Sequence, residues 1–168
     1  MAKPLLVRIR NLAHRFVVNS VRLYYSRIWG MTIGRGSRIS LRATLDKTNP
    51  RGIVIGEYTA VTFGAAILSH DFVNREHKTT RIGSYCFVGA GAVVFPGVTV
   101  GDHCIIGVNA VVMRDVPNHS LVMGNPARVI ERGIETIAWG LKPKPGDDLP
   151  GVELLGRATP ETAAEKET

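Results

Sequence analysis

IGSYCFVGAGAVVFPGVTVGDHCIIGVNAVV, residues Ile82 to Val112, decides how this chain folds. Stepping by six from Ile82 lands on Val88, Val94, Val100, Ile106 and Val112. Upstream the same step joins Ile55, Val61 and Ile67, and before them Ile33, Ile39 and Leu45. Gly follows the aliphatic at 34, 56, 83, 89, 101 and 107. Four positions after it the residue is usually small: Ser37, Ala43, Thr59, Ala65, Cys86, Ala92, Val98, Cys104, Ala110. A period of six is neither the helical 3.6 nor the alternation of a plain strand. It describes short strands separated by corners, with the aliphatic inside and the small residue beside it. Gly is expected to take the left-handed conformation at the corner, where it carries no Cβ penalty. Three hexapeptides close one triangular coil, and coils stack at about 4.8 Å. The fold class is therefore all-β, a parallel β-helix of about four coils over residues 31–130. Cys86 and Cys104, 18 residues apart, should lie one above the other as buried, reduced thiols.

Composition narrows the function. The net charge of +7 is concentrated in residues 1–30, which hold six Lys/Arg and no acid. The remainder is nearly balanced, fifteen basic residues against fourteen acidic ones, so the body lacks the basic, aromatic surface of a nucleic-acid binder. No secretory h-region and no long apolar span is visible, and the cytoplasm is the expected compartment. Residues 1–30 read as a basic amphipathic helix, with apolar positions at 6, 9, 13, 17, 21, 24 and 28. Such a helix suits an anionic membrane surface, here the inner face of the cytoplasmic membrane. It suits equally the open end of the prism. After the prism, Ile130, Ile134, Ile137 and Leu141 predict a short helix over residues 131–142 that seals the column, followed by a flexible tail, 143–168.

The period fails once in a chemically suggestive way. In ILSHDFVNREHKTTRIG, Ile67 to Gly83, the repeat due at 73 arrives only at 82, which expels a loop over residues 73–81. A prism filled with aliphatics has no chemistry inside it. A site must be built on the outside, from corners, from an expelled loop, or between prisms.

Residues 31–130 resemble the hexapeptide-repeat acyltransferases, in particular the O-acetyltransferase branch acting on sugars and surface polysaccharides. The resemblance rests on the repeat, on PGVTVGD, on RDVPNHSLVMGNPARVI and on Ser69-His70-Asp71. It implies a left-handed β-helix, a homotrimer with sites between subunits, acetyl-CoA as acyl donor, a carbohydrate acceptor and no metal. It also implies direct transfer, with a histidine beside an expelled loop as general base. His70 is the matching residue, although it stands at the fourth position of its hexapeptide where several relatives have the base at the last. His77 is held in reserve. Asp71 could orient the imidazole or cap the turn. Gly89, Ala90, Gly107 and Val108 match the coil positions whose backbone lines the pantetheine groove. Phe87 and Ala90 stand where relatives often have Trp and Ser. Arg114 and Arg128 match basic positions near the coenzyme's phosphates. The acceptor is expected to be a surface polysaccharide, lipopolysaccharide or lipid-linked precursor; a small molecule such as an antibiotic, free sugar or amino sugar is the alternative. A zinc lyase of β-helical type would need three converging imidazoles, and His14, His70, His103 and His119 suggest no such set. A non-catalytic scaffold is the remaining alternative.

Overall fold

The computed structural model describes residues 20–150. Strand triplets make successive coils: β1 Thr32–Ile33, β2 Arg38–Ile39, β3 Thr44–Leu45; then β4 Ile53–Ile55, β5 Ala60–Val61, β6 Ala66–Ile67. A hairpin follows, β7 His70–Asp71 and β8 Glu76–His77. The coils resume with β9 Thr80–Ile82, β10 Phe87–Val88, β11 Val93–Val94, and β12 Thr99–Val100, β13 Ile105–Ile106, β14 Val111–Val112. The chain ends its strands with β15 Ser120–Met123 and β16 Arg128–Arg132. Face A is β1-β4-β9-β12, face C is β3-β6-β11-β14, and face B is β2-β5-β10-β13-β15 with β16 added antiparallel at the end. All other pairings on these faces are parallel and in register from coil to coil, for example Val88 beside Val61 and Ile106.

All twelve aliphatics of the six-residue series are at most 6% exposed, as are all nine small residues four positions later. The interior is a column of branched side chains, and its burial is the main stabilising term. Cys86 and Cys104 are free and stacked as expected, with the Cys104 N–H directed at Cys86 Sγ, 3.4 Å away. Burial pushes the Cys86 thiol well above its ordinary pKa.

The corner glycines correct the reading of the sequence. Left-handed backbone occurs three positions after eight of the twelve aliphatics, at Gly36, Tyr58, Gly64, Tyr85, Gly91, Gly97, His103 and Asn109. The glycines directly after the aliphatics have ordinary φ and serve a different purpose. A Cβ on Gly83 would lie 2.5 Å from Gly101 O, and one on Gly89 2.7 Å from the Gly107 carbonyl carbon. These positions need Gly because one coil's backbone rests on the next.

Both ends depart from expectation in part. Residues 20–27 are helical, and Val21 and Tyr25 are buried in the prism's core cluster, with Trp29 packed against it. This stretch therefore packs on the prism; residues 1–19 of the expected helix lie outside the described residues. Among the described residues no helix is long and apolar enough to cross a membrane. The short C-terminal helix over 131–142 is not formed. The chain turns at Asn125–Pro126, a cis peptide, and β16 runs back along β15. Residues 133–141 then descend the corner between faces A and B as a strap. Two of its N–H groups go to corner carbonyls: Ile134 N–H to His119 O, 3.1 Å, and Trp139 N–H to Tyr58 O, 2.6 Å. Ile134, Thr136, Ile137 and Ala138 are buried against the outside of the prism, and a single 3-10 turn spans Ala138–Gly140. Of the expected tail, residues 143–150 hold a turn at Lys144–Asp147, and Pro150 O accepts the Ala138 N–H at 2.8 Å. The rest of the tail lies outside the described residues.

Candidate active site

His70 enters at the corner between faces C and A, where the second coil should have closed. The chain leaves that coil at Leu68–Ser69 and rejoins it at Thr80, so the excursion begins earlier than residue 73 and is a hairpin rather than an open loop. His70 pairs with His77 across it, with ring centroids 5.2 Å apart and the rings edge to face. The base candidate and its reserve are therefore neighbours. The Asp71 carboxylate is occupied elsewhere: it accepts the Asn74 backbone N–H at 3.0 Å and side-chain amide at 2.7 Å. Those two bonds hold the Asp71 carboxyl below its ordinary pKa, and its visible role is to cap the hairpin turn.

Residues that sequence reasoning did not select hold the hairpin's roots. Asp46 Oδ2 accepts the N–H groups of Ser69 and His70, at 3.0 and 2.9 Å, while Oδ1 accepts Thr48 N–H at 2.9 Å. Burial raises the Asp46 pKa, but these backbone donors outweigh it, and the net shift is downward. The Asn49 amide spans the two roots, donating to Ser69 O at 3.0 Å and Lys78 O at 3.2 Å. The fully buried Thr80 hydroxyl bonds Leu68 O at 2.5 Å. The available signal was the C/A corner itself. There the residue after the aliphatic is Asp46, Leu68, Phe95 or Met113, never Gly, and that corner is also where the chain departs from the six-residue period, first over residues 46–52, between Leu45 and Ile55, and then over residues 68–81.

His70 opens into a cavity of about 530 Å³, lined also by Tyr25, Leu41, Ala43, Thr44, Leu45, Asp46, Lys47 and Leu68. The Lys47 ammonium lies 5.1 Å from the Trp29 ring centroid. Further along the same corner, two coils on and roughly 10 Å away by the strand spacing, stands Arg114. Arg114 and Arg128 line one smaller cavity of about 160 Å³ with Val112, Asp115 and Val129, so the structure brings both candidate phosphate ligands together. Gly89, Ala90, Gly107 and Val108 stack on the B/C corner, the opposite edge of face C from His70. Phe87 faces outward from face B but lies under the strap, where a Cβ on Gly140 would be 2.4 Å from Phe87 Cβ. Phe87 is half-buried there, whereas Phe63, also pointing outward, is 57% exposed.

The other histidines are gathered more closely than their sequence positions suggest. Tyr58, Tyr85, His103 and His119 form a stacked ladder on the A/B corner, with the two imidazoles 4.8 Å apart at 4°. Glu135 joins them, and single ligand atoms of His103, His119 and Glu135 lie within 4.8 Å of one another. Both Nδ1 atoms contact strap carbonyls, of Thr136 at 2.9 Å and Ile134 at 3.0 Å. This trio has the composition of a candidate metal site, but its third group is the Glu135 carboxylate and not the third imidazole that a zinc lyase of β-helical type would need.

The family model described as bacterial transferase hexapeptide (six repeats) matches residues 79–114. Residues 79–114 thus carry the hexapeptide repeat of bacterial transferases, and the chain is similar to such proteins over about three fifths of its length. It is 38% identical to Nodulation protein L of Rhizobium meliloti over 60% of each chain, and 36% identical to Protein CapG of Staphylococcus aureus over 61% of this chain and 66% of that one. It is also 36% identical to serine acetyltransferase 5 of Arabidopsis thaliana, over 62% of this chain and 35% of the relative. The chain thus spans less than two thirds of each of these relatives. Among solved structures, a hexapeptide-repeat containing acetyltransferase from Vibrio cholerae superposes with a TM-score of 0.54 at 19% identity, covering 78% of this chain and 94% of that one. A serine acetyltransferase from Neisseria gonorrhoeae gives 0.54 at 23%, over 79% of this chain and 51% of the other. These hexapeptide-repeat neighbours share the fold and imply the left-handed sense of coiling.

Proposed function

We propose that this hexapeptide-repeat protein is an acetyl-CoA-dependent O-acetyltransferase acting on a sugar hydroxyl, in the assembly of surface polysaccharide or lipopolysaccharide. The observation that carries the reading is His70, held at the root of the expelled hairpin and open to a cavity with polar groups from Thr44, Asp46 and Lys47. A Vibrio cholerae protein of the same fold is solved in complex with acetyl coenzyme A, with a TM-score of 0.50 at 23% identity over 64% of this chain and 73% of that one.

In this reading the acceptor hydroxyl passes its proton to the His70 imidazole as its oxygen attacks the thioester carbonyl. Backbone N–H groups stabilise the oxyanion of the tetrahedral intermediate. As that intermediate collapses, the carbon–sulfur bond breaks and the coenzyme thiolate takes the proton back from the imidazolium. Arg114 and Arg128 bind the coenzyme's phosphates, and the Gly89–Ala90 and Gly107–Val108 backbone lines the pantetheine arm. In one chain that groove and His70 lie on opposite edges of face C, so a complete site calls for a second subunit. The homotrimer supplies one, and the exposed Leu41, Phe63, Val108 and Met113 along its edges suit such contacts. The helix at residues 20–27 packs on the prism through Val21 and Tyr25, leaving Leu23, Tyr24 and Ile28 exposed for a membrane surface.

A second reading, the hydroxyl of serine as acceptor, is favoured by the match to serine acetyltransferases. Calorimetry with coenzyme A on the wild type and on His70→Ala, followed by transfer from acetyl-CoA to serine and to nitrophenyl glycosides, separates the readings. Both proteins should bind at one site per subunit, and only the wild type should acetylate a glycoside. Failure of the wild type to bind coenzyme A would move the non-catalytic scaffold to first place.

A further inference from the structure

We infer that Asp46 is a positioning residue for His70, acting through the backbone at the point where the hexapeptide period breaks. The inference rests on His70 being the base. In an intact coil the N–H groups that leave face C find carbonyls on a neighbouring coil, as Phe95 N–H does with Val112 O at 2.9 Å. Ser69 and His70 leave the prism, and the N–H groups of both are taken by one oxygen of Asp46, 24 residues before His70. That carboxylate is itself fixed by Thr48 N–H on its other oxygen. A charged acceptor makes these bonds stronger than neutral ones would be. The N–H groups of the base and of the residue before it are thus attached to coil one, while β7 still pairs with β8 across the hairpin.

The remaining contacts point the same way. Asn49, midway between β3 and β4 in the first departure from the period, ties Ser69 O to Lys78 O, and the Ser69 hydroxyl donates to Asn49 O at 2.7 Å. The two insertions therefore clamp each other at one corner, and Asp46 is the contact that reaches His70. The hairpin beyond is free to differ in its tip, because its turn is capped separately by Asp71 and Asn74. Asp46 and His70 also line the same cavity, so a shift of one backbone atom moves the imidazole relative to a bound acceptor.

Asp46→Asn tests the assignment, since it keeps the side chain's size while replacing one anionic acceptor oxygen with a donor that opposes the N–H groups. Two measurements are made on the full-length protein. Hydrogen exchange of the Ser69 and His70 amides should speed up at least tenfold while the global unfolding midpoint moves little. Transfer from acetyl-CoA to the best nitrophenyl glycoside should show kcat down about ten- to a hundredfold, with KM for both substrates within about twofold of wild type. Combining Asp46→Asn with His70→Ala should be no slower than His70→Ala alone. Asp46→Glu retains the charge and displaces the oxygens, and should recover only part of the lost kcat. Unchanged amide exchange would overturn the clamp. A raised acceptor KM at normal kcat, or full recovery by Asp46→Glu, would overturn the positioning role in favour of acceptor binding or of charge alone. If His70→Ala transfers normally the base assignment fails, and amide exchange still decides whether Asp46 holds this backbone.

Discussion

Two corners of one prism carry imidazoles and use them in opposite ways. On the A/B corner His103 and His119 continue the stack begun by Tyr58 and Tyr85, their Nδ1 atoms are engaged by the strap, and the ladder runs unbroken from coil to coil. On the C/A corner the ladder stops, and His70 stands at the edge of a cavity with His77 opposite it and Asp46 below. The difference lies in what the neighbouring backbone does. Where each coil supports the next, polar corner residues are consumed in holding the fold. Where a coil opens, its polar groups need local partners, and the residues supplying them are left next to solvent and space.

The comparison breaks first at His70. His70→Ala should lower kcat by about 10²- to 10⁴-fold, the range general-base residues contribute, with coenzyme A affinity preserved in calorimetry. Next come changes to the prism itself. Ile106→Ala removes a side chain that is fully buried and should cost about 2–5 kcal/mol in denaturant unfolding. Gly83→Ala places a methyl group against the Gly101 carbonyl and should cost about 1–3 kcal/mol, since backbone on both coils must move. On the strapped corner, Thr136→Val removes a buried hydroxyl that donates to Tyr85 O at 2.7 Å, and should cost about 1–2 kcal/mol with transfer unchanged. The smallest effect is electrostatic. Because the Asp46 pKa is lower in the folded chain than in the unfolded one, its contribution is complete above the ordinary carboxylate pKa and disappears as pH falls through the folded value. Acid titration of Asp46→Asn against wild type should show the two unfolding midpoints converging only in that acidic range.

The prism was legible because its requirement repeats. A residue such as Val94 sits in the same surroundings as Val88 and Val100, so the pattern can be read without knowing what stacks on what. The role of Gly83 was not legible, since its constraint comes from Gly101, 18 residues away, rather than from its own φ. The strap was misread for a related reason. Ile130, Ile134 and Ile137 are spaced like one face of a helix, yet Ile130 lies in a strand and Ile134 and Ile137 are buried against a prism already built. Gly133 and Gly140, both left-handed, also interrupt any helix there. At the candidate site, His70 stood out because it lies beside a broken period, and Arg114 and Arg128 stood out by their match to basic positions; that they line one cavity is seen only in the fold. Asp46 and Asn49 were not visible, because their bonds to the hairpin roots span 20 to 29 residues.

The most direct measurement compares the two corners by transfer rate. Wild type, His70→Ala and His103→Ala are assayed in parallel with acetyl-CoA and the same nitrophenyl glycoside, each checked for folding and coenzyme A binding. The account predicts that His70→Ala loses transfer at least about a hundredfold, and that His103→Ala remains within about twofold of wild type. Retained transfer in His70→Ala, or its loss in a folded, coenzyme-binding His103→Ala, would contradict it.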